Sequence, residues 1–86
     1  MKFSKHEVAE YLSIVRDKNP VHSQIVPGQF AVEMAMVHQN ISWNNFKVKY
    51  VEPIEIDEEI DFEFDGCNHI IVSNSIKRVK IHILKN

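Results

Sequence analysis

Around Asn40 the hydrophobic period of this chain changes, and that change limits what it can fold into. Upstream, Val8, Tyr11, Leu12 and Val15 fall at i, i+3, i+4 and i+7, one face of a helix. Downstream the period is 2. Phe46, Val48 and Tyr50 alternate with Lys47 and Lys49. Ile60, Phe62 and Phe64 alternate with Asp61, Glu63 and Asp65, and Val79, Ile81 and Ile83 with Lys80 and His82. These patterns predict half-buried strands of an antiparallel sheet of about four strands. Helices followed by a run of strands indicate an α+β fold.

The boundaries have local causes. Ser4 and Glu7 have the spacing of a capping box, so the first helix is expected over about 4–17. It ends near Asp17 because Pro20 pushes Asn19 out of the α region. Pro27 and Gly28 open a second helix, expected over about 28–40. In its run "FAVEMAMV", Phe30 to Val37, only Glu33 is not apolar. A helix apolar nearly all round is a buried one, and the apolar face of the sheet is expected to curl around it. "DGCN" at 65–68 reads as a hairpin turn, "NSIKR" at 74–78 as a weaker one, and Pro53 as a bend between the first two strands.

Composition narrows the function. A chain of 86 residues makes one domain with a modest core. Residues 1–50 carry six Lys/Arg and four Asp/Glu; residues 51–86 carry four and eight. Neither half has the basic stripe that a nucleic acid needs. Lys77, Arg78, Lys80 and Lys85 are spaced like the outer face of a strand, and the acids from Glu55 to Asp65 like a solvated one. The single cysteine, Cys67, excludes an internal disulfide and a Cys-based zinc cluster. His6, His38, His69 and His82 show no ligand spacing, so no metal is expected. No apolar run approaches a membrane span and no signal peptide is evident, which makes the cytoplasm the expected location.

The connection "RDKNPVHSQIVPGQF", Arg16 to Phe30, is too rich in special residues for a plain linker. By residue type alone, Asp17 reads as a solvated helix-end acid and His22 as a loop histidine. The segment "DKNPVH", Asp17 to His22, resembles the Asp-x-Asn-Pro-x-His core of the MaoC-like (R)-specific enoyl-CoA hydratases and dehydratases. "VPGQFAVEMAM" is similar to the start of the central helix of hotdog-fold proteins, and to the Pro-Gly-x-x-x-x-Glu-Ala-Met pattern of 3-hydroxyacyl-carrier-protein dehydratases. The later strands also look like those of a hotdog domain, so the resemblance covers nearly all of residues 1–86. The chain departs from the pattern in four ways. Arg16 stands where the family has Gly, and Pro27-Gly28 where it has His-Gly. The loop between His22 and Gly28 is shorter, and the usual N-terminal strand is missing.

The resemblance implies a hotdog fold wrapped around the second helix and a homodimer with sites at the subunit interface. It implies that Asp17 and His22 are catalytic and handle a water, with Asn19 and Pro20 shaping the loop. Gly28 would present backbone N–H groups to a thioester carbonyl, and otherwise only eases the turn after Pro27. Glu33, five residues on, has the spacing of the dehydratases' second acid; otherwise it is a Glu bonded to backbone across a dimer. The expected activity is reversible hydration of a 2-enoyl-CoA or enoyl-carrier-protein thioester, with no cofactor beyond that carrier. Two alternatives stay open: a non-catalytic or degenerate acyl-thioester-binding protein, and a hotdog thioesterase using Glu33.

Overall fold

The computed structural model describes residues 1–15 and 25–86. The predicted capping box is formed: Ser4 Oγ accepts the Glu7 N–H at 3.1 Å, and Glu7 Oε1 accepts the Ser4 N–H at 3.3 Å. Helix α1 follows as Lys5–Val15. Its Val8 is buried, and Tyr11 stacks on Phe30 with ring centroids 4.6 Å apart. Phe3 meets the same Phe30 ring edge-on at 5.1 Å. This aromatic trio docks α1 on the next helix.

A short strand, β1 (Ile25–Val26), leads into α2 (Gly28–His38). The helix stops two residues earlier than its sequence pattern suggests. Asn40 takes a left-handed backbone, φ 55°, and closes a Schellman motif. Its N–H bonds the Val37 carbonyl at 3.1 Å, and the Ile41 N–H bonds the Met36 carbonyl at 2.9 Å. The burial of α2 also corrects the sequence reading. Ala31, Val32 and Ala35 are buried, but Gln29, Glu33 and Val37, successive turns of one stripe, are exposed. The reason is geometric: the sheet and α1 cover only part of the helix, and among the described residues this stripe is left exposed.

The remaining strands are β2 (Phe46–Tyr50), β3 (Ile54–Glu55), β4 (Ile60–Phe64), β5 (His69–Asn74) and β6 (Val79–Lys85). Four of them form an antiparallel sheet in the order β2-β6-β5-β4, and β1 pairs with β3 in a separate two-stranded sheet. The expected four strands are present; β1 and β3 are additions too short to show a period. Ile60, Ile70, Val72, Ile81 and Ile83 line the sheet face toward α2 and join Ala31, Val32, Ala35, Phe3, Val8, Val26 and Ile54 in the core. Each large aliphatic side chain so buried stabilises the fold by about 1.5–3 kcal/mol. The segment before α1 is laced to the start of β4: the Ile60 N–H bonds the Met1 carbonyl at 2.7 Å, and the Asp57 N–H bonds that of Phe3 at 2.9 Å.

The β5–β6 pairing carries one irregularity. Val72 faces Ile81 but Ser73 faces Val79, so Lys80 is the extra residue of a β-bulge. The alternation therefore fails there. Lys80, read from the sequence as an outer-face residue, turns inward until its side chain is only 8% exposed. Among the described residues no helix is long and apolar enough to cross a membrane.

Candidate functional site

A cleft of about 330 Å³ opens where α2 begins. Ile25 and Val26 of β1, Gly28, the run from Tyr50 to Ile54 and Ile81 line it, with Val26 and Ile54 paired as strand neighbours. The lining is mostly apolar, with Tyr50 and Glu52 as its polar side chains. An apolar cleft with few polar groups is the usual form of a small-molecule site.

Each wall has a local cause. Pro27 holds φ −57° and ψ 130° at the N-cap of α2 and makes no side-chain cap. The first N–H groups of a helix have no intrahelical acceptor, and the helix dipole is positive there. The start of α2, beside the cleft, thus carries a partial positive charge. Glycine at position 28 lets the Tyr50 ring lie against the helix start. A Cβ there would overlap Cε1 of Tyr50 and lie 3.0 Å from its Cδ1 and Cζ. The Tyr50 ring rests against the helix start while remaining 57% exposed.

The Val51–Pro53 part of the lining is held by Lys80. Its carbonyl accepts the N–H groups of Val51 at 2.8 Å and Glu52 at 3.2 Å. Its ammonium donates to the Pro53 carbonyl at 3.1 Å and lies 3.2 Å from Glu58 Oε2 and 3.6 Å from Glu52 Oε2. Arg78 Nε holds the other Glu52 oxygen at 2.8 Å. Asn74 Nδ2 donates to Glu58 Oε2 at 3.0 Å, and the Glu55 N–H to Glu58 Oε1 at 3.0 Å. Burial pushes the Glu58 carboxyl up, but these hydrogen bonds and the Lys80 charge outweigh it and hold the group below its ordinary value. A buried lysine costs free energy unless paired, and this one has two carboxylates and a carbonyl.

Of the residues singled out from the sequence, Gly28 lines the cleft. Glu33 is exposed on α2 and is not among the lining residues. Asp17, Asn19, Pro20 and His22 lie outside the described residues. Tyr50, Glu52 and Lys80 were missed as site residues. Tyr50 looked like one more apolar position of β2, and the strand alternation placed Lys80 outside. The one available signal was Pro53, which marks a bend but not what the bend encloses. Among the described residues, no group of three or more His, Cys, Asp or Glu side chains is placed to hold a metal ion. Compared with models of known protein families and with curated proteins, the sequence matches none.

Proposed function

We propose that this chain is a small hotdog-fold hydratase or dehydratase acting on acyl thioesters, reversibly adding water to a 2-enoyl-CoA or enoyl-carrier-protein thioester. The observation that carries the reading is the apolar cleft lined by Gly28 at the start of α2. An acyl chain suits its apolar lining, and a thioester carbonyl suits the positive start of α2 beside it. As water adds, negative charge develops on that carbonyl oxygen, and fixed donors there stabilise the enolate. In the resemblance, Asp17 and His22 supply the proton transfers. A base takes a proton from the water whose oxygen bonds C3, and an acid delivers one to C2. Asn19 and Pro20 shape their loop. Glu33 is a reserve acid only if a second copy brings it to a site. The reading includes a homodimer, supported by the uncovered stripe of α2 and by Val37, Tyr50 and Val51, exposed apolar side chains. It calls on no metal and no organic cofactor, and it places the reaction in the cytoplasm.

The second reading is a protein that binds acyl thioesters without turning them over. The position of Tyr50 favours it, because its ring must move before a carbonyl can reach Gly28. One assay separates the readings: loss of the conjugated enoyl-thioester absorbance with crotonyl-CoA and with a longer 2-enoyl-CoA, while free thiol is followed. Hydration consumes the absorbance and releases no thiol. Asp17→Asn and His22→Ala should each lower kcat by at least about 100-fold, the usual contribution of a general acid or base. Binding without turnover by folded protein supports the second reading. Thiol release identifies a thioesterase.

A further inference from the structure

The face of the four-stranded sheet turned away from α2 carries an arrangement that the proposed reaction does not use. His69 on β5 faces Leu84, and His82 on β6 faces Ile71, so the two histidines sit diagonally on adjacent antiparallel strands. His69 Nε2 and His82 Nδ1 are 2.9 Å apart in a part-buried contact. The ring centroids are 5.1 Å apart and the planes 28° from parallel. β5 and β6 are the two central strands, each hydrogen-bonded on both sides, so the backbone carrying the rings is fixed.

An imidazole nitrogen serves as a metal ligand when its lone pair is free. In an uncharged pair, one ring donates its N–H to the other ring's lone pair. Moving that proton to the donor ring's far nitrogen changes the tautomer and frees both facing lone pairs, with no net loss of protons. The rings are also close enough to share one ion. The 2.9 Å is the N–H···N distance of the hydrogen-bonded pair, and small rotations of the two rings turn both freed lone pairs onto a common centre about 2.0–2.1 Å away. Two imidazole nitrogens completed by water oxygens suit the tetragonal geometry of Cu(II) or Ni(II).

We infer that His69 and His82 form a binding site for a divalent cation of tetragonal preference, Ni²⁺ or Cu²⁺, on the open face of the sheet, with water completing the coordination. The site does not depend on the hydratase reading. The neighbouring charges set its strength. Lys49, directly across from His82 on β2, opposes a cation. Glu63, across from Ile71 on β4, favours one but is held by Lys77 at 3.3 Å. Asp65, whose Oδ1 accepts the His69 N–H, also favours one.

The test is calorimetric titration of the full chain, free of any histidine tag, with NiCl₂ and separately with ZnCl₂ at neutral pH. The site predicts one saturable Ni²⁺ per chain, with Zn²⁺ weaker by about tenfold. His69→Gln and His82→Gln should each weaken Ni²⁺ by at least about tenfold, and Lys49→Ala should strengthen it about threefold by removing a repulsive charge. His6→Gln should change nothing. Circular dichroism of each variant shows whether it remains folded, and the gain in Lys49→Ala cannot arise from unfolding. Absence of saturable Ni²⁺ binding, or binding that survives both histidine substitutions, overturns the site. Equal affinity for Zn²⁺ overturns the tetragonal assignment.

Discussion

The two hairpins of the main sheet, which lie on either side of β5, are built by opposite means. At the β4–β5 turn, Asp65 Oδ1 accepts the N–H groups of Cys67 at 2.8 Å, Asn68 at 3.0 Å and His69 at 3.1 Å, and Gly66 takes φ 85°. The bond from Cys67 is the main reason the Asp65 carboxyl sits below its ordinary value. All of this is exposed and local. At the β5–β6 turn, Asn74 Oδ1 likewise accepts the N–H groups of Ile76 and Arg78. But Asn74 is buried, and its amide donates to Glu58, which also meets the inward-turned Lys80. The first turn is closed by its own residues. The second is bolted to the β3 segment and, through it, to the wall of the cleft. A turn can thus be a local device or a structural joint with the same kind of side chain at its start.

Substitutions can break or sharpen that contrast. The largest effect is expected from Lys80→Ala, which leaves Glu52 and Glu58 without their buried cation. A loss of about 2–4 kcal/mol, read from denaturant unfolding, is expected, somewhat under the usual cost because Glu52 is partly exposed. Asn74→Ala should cost about 1–3 kcal/mol in the same measurement, since it strips hydrogen bonds from both the turn and Glu58.

Acid tests the joint next. The folded pKa of Glu58 is depressed, so its contribution is fully present above its unfolded value, near 4.5, and is lost as the pH falls through the lower folded value. Glu58→Gln should therefore flatten the fall of Tm with acidification below pH 4.5. A wild-type slope equal to that of the variant would remove Glu58 from the joint. Asp65→Ala should have the smallest effect of these, a slight drop in Tm with no change in acyl-thioester binding, because water replaces its bonds at an exposed turn. In the cleft itself, Gly28→Ala should weaken acyl-thioester binding by pushing the Tyr50 ring off the helix start and into the cleft it lines, and Tyr50→Ala in the same chain should restore it. Failure of that rescue would show that the two residues do not act together.

Much of the fold could be read from residues close in sequence. Ser4 and Glu7 announced α1, Pro27 and Gly28 announced α2, and three alternating runs announced three of the sheet strands. The Asp65–Asn68 turn was equally plain, because its hydrogen bonds span four residues or fewer. Phe3 was not readable as a core residue. It lies before the first periodic segment, and it is buried by contacts with residues distant in sequence, the Phe30 ring among them. The cleft was half readable. Gly28 stood out as a helix-opening glycine, but Tyr50 and the wall behind Glu52 did not.

The sequence by itself determined the order and kind of the elements, because capping, helix periodicity and strand alternation depend on neighbours within a few residues. Only the tertiary structure decided the rest. The bulge at Lys80 turned a charged side chain inward against the alternation, since an extra residue in one strand shifts every later position relative to its partner. It decided that one stripe of α2 stays exposed, because the sheet and α1 together cover only part of the helix. It brought His69 beside His82 and Gly28 beneath Tyr50, pairs set by strand register and helix packing that leave no trace in sequence spacing.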